Sequence, residues 1–192
     1  MAIVVDIDLG ALRVEAESCV ACRLAETRTT VVFASGDPNA DLMIVGEAPG
    51  RDEDLSGQPF VGRSGKLLDQ LIEEELGRTR AECYVTNVVK CRPPSNRDPL
   101  PDEVAACRRF LDGQTGVVTP KVVITLGNFA MRSLLDTTDG ITKRRGSAYR
   151  FASGYLIPTF HPAAALRGGP RVLAEMRADF AHAAAALARG RR

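Results

Sequence analysis

Four short apolar runs, each separated from the next by a helical stripe, limit what this chain can fold into more than any other feature. They cover residues 42–45 (LMIV), 84–89 (YVTNVV), 122–126 (VVITL) and 156–160 (LIPTF). Runs that are mostly β-branched or aromatic and apolar on both faces read as strands of a parallel sheet buried beneath helices. Between them, Leu67, Leu68, Leu71, Ile72 and Leu76 form one helical stripe. Val104, Cys107 and Leu111 form a second, opened by Pro101-Asp102-Glu103, a good helix start. Ala130, Leu134 and Leu135 mark a third, and Leu173, Met176, Phe180 and Leu187 a long last helix ending at Gly190. Strand and helix in alternation predict an α/β fold: a single doubly wound domain over residues 1–192, with a four-stranded parallel sheet flanked by helices.

In open α/β sheets ligands bind beyond the carboxyl ends of the strands. The segments there are the least ordinary in the chain: Gly46-Glu47-Ala48-Pro49-Gly50, residues 90–101, and His161-Pro162, with Asn87 near the end of the second strand.

Charge says little about partners. Twenty-five basic and 24 acidic residues leave a net charge of +1, so DNA binding would need a local basic patch. Lys143-Arg144-Arg145 and the tail (Arg189, Arg191, Arg192) are such runs; each also reads as a solvated face. No stretch approaches the ~20 apolar residues of a membrane span. The N-terminal apolar run carries acids early and lacks a basic leader, so it does not read as a signal peptide. A cytoplasmic monomer is expected.

Without an export signal, five cysteines favour metal or redox chemistry over disulfides. Cys19-x-x-Cys22 sets two thiols a helical turn apart, or side by side in a turn. Cys91 follows the second strand, and Cys107 lies on the inward stripe of the next helix. Four thiolates suit tetrahedral zinc or a four-iron cluster, and spacing does not separate the two. Four unrelated core cysteines would have the same composition. Cys83, at a strand start, reads as core.

Four segments in order carry a family resemblance. GEAPGRDEDLSGQPFVGRSGKLL (46–68), YVTNVVKCRPPSNRDPLPDEVAAC (84–107), FHPAAALR (160–167) and the cysteine spacing resemble the motifs of the family 4, iron–sulfur uracil-DNA glycosylases. The resemblance spans roughly residues 15–185. It implies the uracil-DNA glycosylase-like fold, a [4Fe-4S] cluster on Cys19, Cys22, Cys91 and Cys107, and uracil-containing DNA as substrate. It places Glu47, Asn87 and His161 in the catalytic site, with Ala48 and Phe60 beside the base.

The chemistry of those residue types agrees. A base flipped from the stack needs a flat slot, and Phe60, stiffened by Pro59, can floor it; Phe60 is also an ordinary core residue. The Asn87 amide offers a donor to uracil O4 and an acceptor to N3–H, the reverse of what cytosine requires; an Asn can equally end a strand by bonding its backbone. His161 matches the family's donor to O2 of the leaving uracil anion, where charge collects. Backbone N–H groups at Ala48 could also face the base. His182, in the last helix, reads as surface. Glu47 could position water, stabilise a cationic sugar, or fill the space beside C5 and exclude thymine's methyl. The best-known branch has an aspartate and a tyrosine where this chain has Ala48 and Gly50, which leaves the water's handler open. Glu53 and Asp54 are runners-up, or simply a loop turning over the strand end.

For DNA, Arg63, Ser64 and Lys66 before a helix N-terminus form a ready phosphate site. Leu166 and Arg167, at the end of the HPAAALR loop, can wedge into the gap left by the flipped base. Arg92, Asn96 and Arg97 form a proline-rich loop. No amine nucleophile is evident, so strand cleavage is not expected. The related cross-linking type carries a histidine in an inserted basic loop after the second strand; CRPPSNRDPLP has none. A non-catalytic metal-bearing DNA-binding module would need the cysteines and basic runs but not Glu47, Phe60, Asn87 and His161 together. A cysteine-rich redox protein fits poorly with such wide ligand spacing.

With so little net charge, only a handful of phosphate contacts is expected. DNA affinity measured across salt concentrations should fall with a log–log slope of about −3 to −5, for about four to five neutralised phosphates. A flat response would contradict this DNA face.

Overall fold

The computed structural model describes residues 8–189. The elements run α1 (Leu9–Glu17), β1 (Ser35–Gly36), β2 (Leu42–Gly46), α2 (Arg51–Ser56), α3 (Gly62–Leu76), β3 (Tyr84–Asn87), α4 (Pro101–Val118), β4 (Val122–Leu126), α5 (Gly127–Leu135), α6 (Ile141–Arg144), β5 (Tyr149–Phe151), β6 (Gly154–Thr159) and α7 (Pro162–Arg189). They build one sheet in the order β1-β3-β2-β4-β6-β5.

The four central strands are parallel, with Ile44 opposite both Val85 and Ile124, and Ile124 opposite Ile157. The sheet is nevertheless six-stranded and mixed, which corrects the expected four-stranded parallel sheet. β1 pairs antiparallel with β3, and β5 antiparallel with β6. These edges are two and three residues long, too short to carry a period-two pattern. β1 depends on Gly36 at φ +94°, where a Cβ would strike the Cys83 carbonyl.

Because successive side chains on a strand point to opposite faces, each strand feeds two cores. Met43, Val45, Val123 and Leu156 pack with Phe33, Phe110 and Leu111 under α1 and α4. Leu42, Ile44, Val122, Ile124 and Ile157 pack with Leu68, Leu71, Met176 and Phe180 of α3 and α7. The expected stripes on α3, α4 and α5 are the buried faces of those helices.

The last helix breaks at Gly169 (φ +71°) and Pro170. Its first segment, beginning at Pro162 just after His161, contains PAAALR, so Leu166 and Arg167 ride on a helix rather than a loop. Similarly, Arg63, Ser64 and Lys66 lie within the first turns of α3, not before it. Glu53 and Asp54 lie in α2 rather than in a turning loop. Gly190, Arg191, Arg192 and most of the N-terminal apolar run fall outside the described residues. Among those described, no helix is long and apolar enough to cross a membrane.

Chain order explains where a site can form. The connection leaving β2 runs to β3 on one side and the connection leaving β4 runs to β5 and β6 on the other, so the chain diverges between β2 and β4 and opens a crevice at their carboxyl ends.

Candidate active site

A cavity of about 700 Å³ opens at that crevice. It is lined by Glu47 and Ala48 after β2, Asn87 closing β3, Gly127, Asn128 and Phe129 after β4, and Phe160 and His161 after β6. Phe60, Ser64 and Arg167 also face it. Four strand ends and the 46–68 segment thus bring Glu47, Ala48, Phe60, Asn87 and His161 together.

The centre depends on Gly46. A Cβ there would lie 2.3 Å from Asn87 Oδ1 and 2.4 Å from Phe60 Cζ. Only glycine lets the Asn87 amide and the Phe60 ring close over the end of β2. Phe60 itself sits at φ +54°, which costs a non-glycine residue free energy that its surroundings must supply. Arg80 donates to the Pro59 and Phe60 carbonyls at 2.7 and 2.8 Å. Glu53 accepts from the Gly50 and Val61 amides at 3.1 and 2.9 Å, spanning the segment on either side. Gly65 leaves room where a Cβ would meet the Phe60 carbonyl at 1.8 Å. Glu53 is therefore the brace of this loop. Asp54 is buried and accepts from the Thr29 and Thr30 amides, pinning α2 to the N-terminal segment.

Asn87 is 1 % exposed, and its Oδ1 is buried without a hydrogen-bond partner. A buried amide oxygen left unpaired costs roughly 1–3 kcal/mol, which a ligand N–H could recover.

His161 has a defined tautomer. Its Nδ1 accepts from the Ala163 amide at 3.2 Å, so the neutral ring carries its proton on Nε2. Burial, with the Arg167 charge second, holds its pKa down to about 4, and the ring is neutral at pH 7. Its ring centroid lies 5.8 Å from that of Phe60, tilted by 32°. His182 does not line this cavity; its Nδ1 lies 3.0 Å from the Gly146 carbonyl.

Glu47 is pushed up to about 7, first by burial and second by the negative charge of Asp98. Arg63 and Lys66 are exposed beside the mouth and do not line the cavity; Ser64 does. Leu166 is 42 % exposed, next to Arg167 on the rim.

A second, smaller cavity is lined by Cys19, Cys22, Cys91 and Cys107 together, walled by Ala16, Ala21, Ala106 and Phe110. Among the described residues no three His, Cys, Asp or Glu side chains converge closely enough to hold a single metal ion. Burial pushes the Cys91 thiol up to about 11 and raises Cys107 as well, so their thiolates need nearby positive charge. Arg28 supplies some, donating to Cys91 Sγ at 3.4 Å. Cys83 stands apart, fully buried under Thr79.

Sequence reasoning overlooked the wall after β4. The rule that ligands sit beyond strand carboxyl ends applies to Asn128 and Phe129 as much as to the other loops. It also missed Arg80, whose role appears only once Phe60 is seen in the left-handed region.

A sheet with a crevice at its strand ends, an orphaned amide, an aromatic floor and a neutral histidine defines a base-binding α/β protein. Comparison with known proteins agrees: a family model described as the uracil DNA glycosylase superfamily matches residues 33–188, and the chain belongs to that superfamily. Its relatives narrow the branch. A type-4 uracil-DNA glycosylase of Sulfurisphaera tokodaii is 46 % identical over 166 residues, 82 % of this chain and 76 % of that protein. One from Archaeoglobus fulgidus is 41 % identical over 174 residues, 86 % of each. A type-5 enzyme of Thermus thermophilus is 32 % identical over 146 residues, 66 % of each. Similarity over this length to several type-4 proteins puts the chain in the type-4 group.

The raised Glu47 pKa has a consequence for stability. Unfolded, this carboxyl ionises near 4.5; folded, near 7. Burial of its charge therefore lowers stability progressively as pH rises between those values, and the cost is complete above pH 7. Glu47→Gln should melt at the same temperature as wild type near pH 4 and at a higher one at pH 8. A melting difference that does not change with pH would contradict the assigned environment.

Proposed function

We propose that this protein is a monofunctional uracil-DNA glycosylase, which captures a flipped uracil from single- or double-stranded DNA and hydrolyses its N-glycosidic bond, leaving an abasic site for base excision repair. The observation that carries this reading is the unpartnered Asn87 Oδ1, buried against the cavity that Phe60 and His161 share.

Asn87 Oδ1 accepts uracil N3–H and the Asn87 amide N–H donates to O4. Cytosine presents an acceptor at N3 and a donor at C4, so it would leave both partners unpaired. Phe60 stacks on the base face; such stacking contributes about 1–3 kcal/mol. Ala48 lines the same slot.

As the C1′–N1 bond lengthens, the sugar becomes cationic and negative charge gathers on uracil O2. His161 Nε2–H donates to O2 as a neutral imidazole, stabilising the anion without transferring its proton. With its pKa near 4, protonation at neutral pH is unfavourable, so the ring acts through a hydrogen bond rather than as a general acid. Glu47 sits among the same groups and serves the sugar side. As a carboxylate above pH 7 it stabilises the cationic sugar and orients water, with burial and the charge of Asp98 raising its pKa to about 7.

Cys19, Cys22, Cys91 and Cys107 would hold a [4Fe-4S] cluster. Their common cavity, lined by all four thiols, supports this. When bound, the cluster supplies structural cross-linking: it ties the N-terminal segment, the loop after β3 and α4. Ser64, Arg63 and Lys66 on α3 and Leu166 and Arg167 on α7 stand on the cavity side and would meet the DNA backbone and the vacated base step. The chain would act as a cytoplasmic monomer of one domain.

Release of uracil from labelled U·G, U·A and single-stranded oligonucleotides tests the activity directly. His161→Ala should lower the single-turnover rate by about 10²-fold or more while DNA affinity stays within a few-fold. Iron-loaded wild-type protein that releases no uracil from any of the three substrates would defeat the assignment.

A further inference from the structure

Lys90 is a fully buried ammonium that the proposed reaction does not use. Its side chain is 1 % exposed, between Asn87 at the base cavity and Cys91 in the cysteine cavity. Nζ donates to Asn87 O at 2.5 Å and to Thr86 Oγ1 at 2.8 Å. Thr86 Oγ1 in turn donates to the Phe33 carbonyl at 2.8 Å. The Lys90 backbone N–H donates to Cys107 Sγ at 3.3 Å. Among the described residues, both partners of Nζ are neutral oxygens and no carboxylate forms an ion pair with it.

A cation this deep, with only neutral partners, is unfavourable unless a negative charge lies nearby. The negative charge available is that of the four cysteine sulfurs once deprotonated around a cluster, and Lys90 lines their cavity. The same ammonium grips the backbone carbonyl of the residue whose side chain faces the base. One side chain therefore lines the cysteine cavity and bonds the backbone of a residue that lines the base cavity.

We propose that Lys90 is a positioning residue: its charge is the buried counter-ion of the four cluster thiolates, and its bond to the Asn87 carbonyl sets the base-reading amide. This rests on the cluster and on Asn87 reading the base, as argued above. The cluster thus fixes the lysine, and the lysine fixes Asn87, so loading of the cysteine cavity is felt at the base cavity. Lys90 touches neither substrate nor reacting atoms.

Two variants separate the two halves. Lys90→Met keeps the apolar stem and removes both charge and donor. Lys90→Gln removes the charge but keeps a donor for the Asn87 carbonyl. Each is prepared anaerobically with iron, and two quantities are read: the cluster's midpoint potential by film voltammetry, and the affinity for free uracil by titration. Loss of a buried cation makes addition of an electron less favourable, so both variants should shift the potential to more negative values. Loss of a hydrogen bond from a charged group should weaken uracil about tenfold or more in Lys90→Met, with Lys90→Gln much nearer wild type. Unchanged potentials overturn the counter-ion role. Equal uracil affinity in wild type and both variants, or an equal loss in both, overturns the positioning bond. Should the methionine variant not fold, the glutamine variant's potential still decides the counter-ion half, and Lys90→Leu, which also lacks charge and donor, takes methionine's place in the uracil titration. Iron absent from anaerobically prepared wild type would defeat the cluster reading itself, and wild type that binds iron but no uracil would defeat the base-reading assignment; both are measured before the variants.

Discussion

The absence of a side chain at Gly46 is the constraint on which the site depends. At the end of the central strand, an added Cβ would overlap the Asn87 amide oxygen and the Phe60 ring at once. The glycine lets two side chains from different segments close onto one small volume. The parallel sheet provides the rest: it ends β2, β3, β4 and β6 at one level, so the residues that follow each strand face the same crevice. In the proposed reading, base recognition would be a property of strand ends held in register, with one position kept empty so that Asn87 and Phe60 can meet.

That arrangement carries strain, and the molecule offsets it locally. Phe60 is held in the left-handed region by Arg80, whose guanidinium takes up two carbonyls, and by Glu53, which accepts amides on both sides of α2. The orphaned Asn87 oxygen is a second cost, which a base N–H bound as proposed would recover. Lys90 is a third, recovered when the cysteine cavity holds negative charge. All three lie within a few residues of the base cavity, while the two hydrophobic cores on either face of the sheet are conventionally packed. Stability lost at the site is thus supplied by the frame around it.

The frame was legible in the sequence because β-branched and aromatic runs buried on both faces leave an unmistakable apolar signature. The edge strands left none: β1 and β5 exist through local hydrogen bonds and through Gly36, not through a repeating pattern. Glu47, Ala48, Phe60, Asn87 and His161 were found by motif, and the strand-end rule explains why they meet. Asn128 and Phe129 were missed because their segment carries no unusual residue type. Leu166 and Arg167, read as the end of a loop in the sequence, are helical because the break in α7 falls only at Gly169. Arg80 and Lys90 were invisible for another reason. Lone basic residues read as surface, and only the fold reveals one clasping carbonyls and the other fully buried.

The central claim is that Asn87 reads the base through a fixed amide, and Asn87→Asp tests it most directly. A carboxylate removes the donor that uracil O4 requires and offers an acceptor to cytosine's exocyclic amine. Single-turnover release from matched uracil- and cytosine-containing oligonucleotides should show uracil excision reduced by about 10³-fold or more, with a trace of cytosine release appearing. A folded, iron-loaded Asn87→Asp protein that excises uracil at close to the wild-type rate would place base recognition elsewhere and contradict the account.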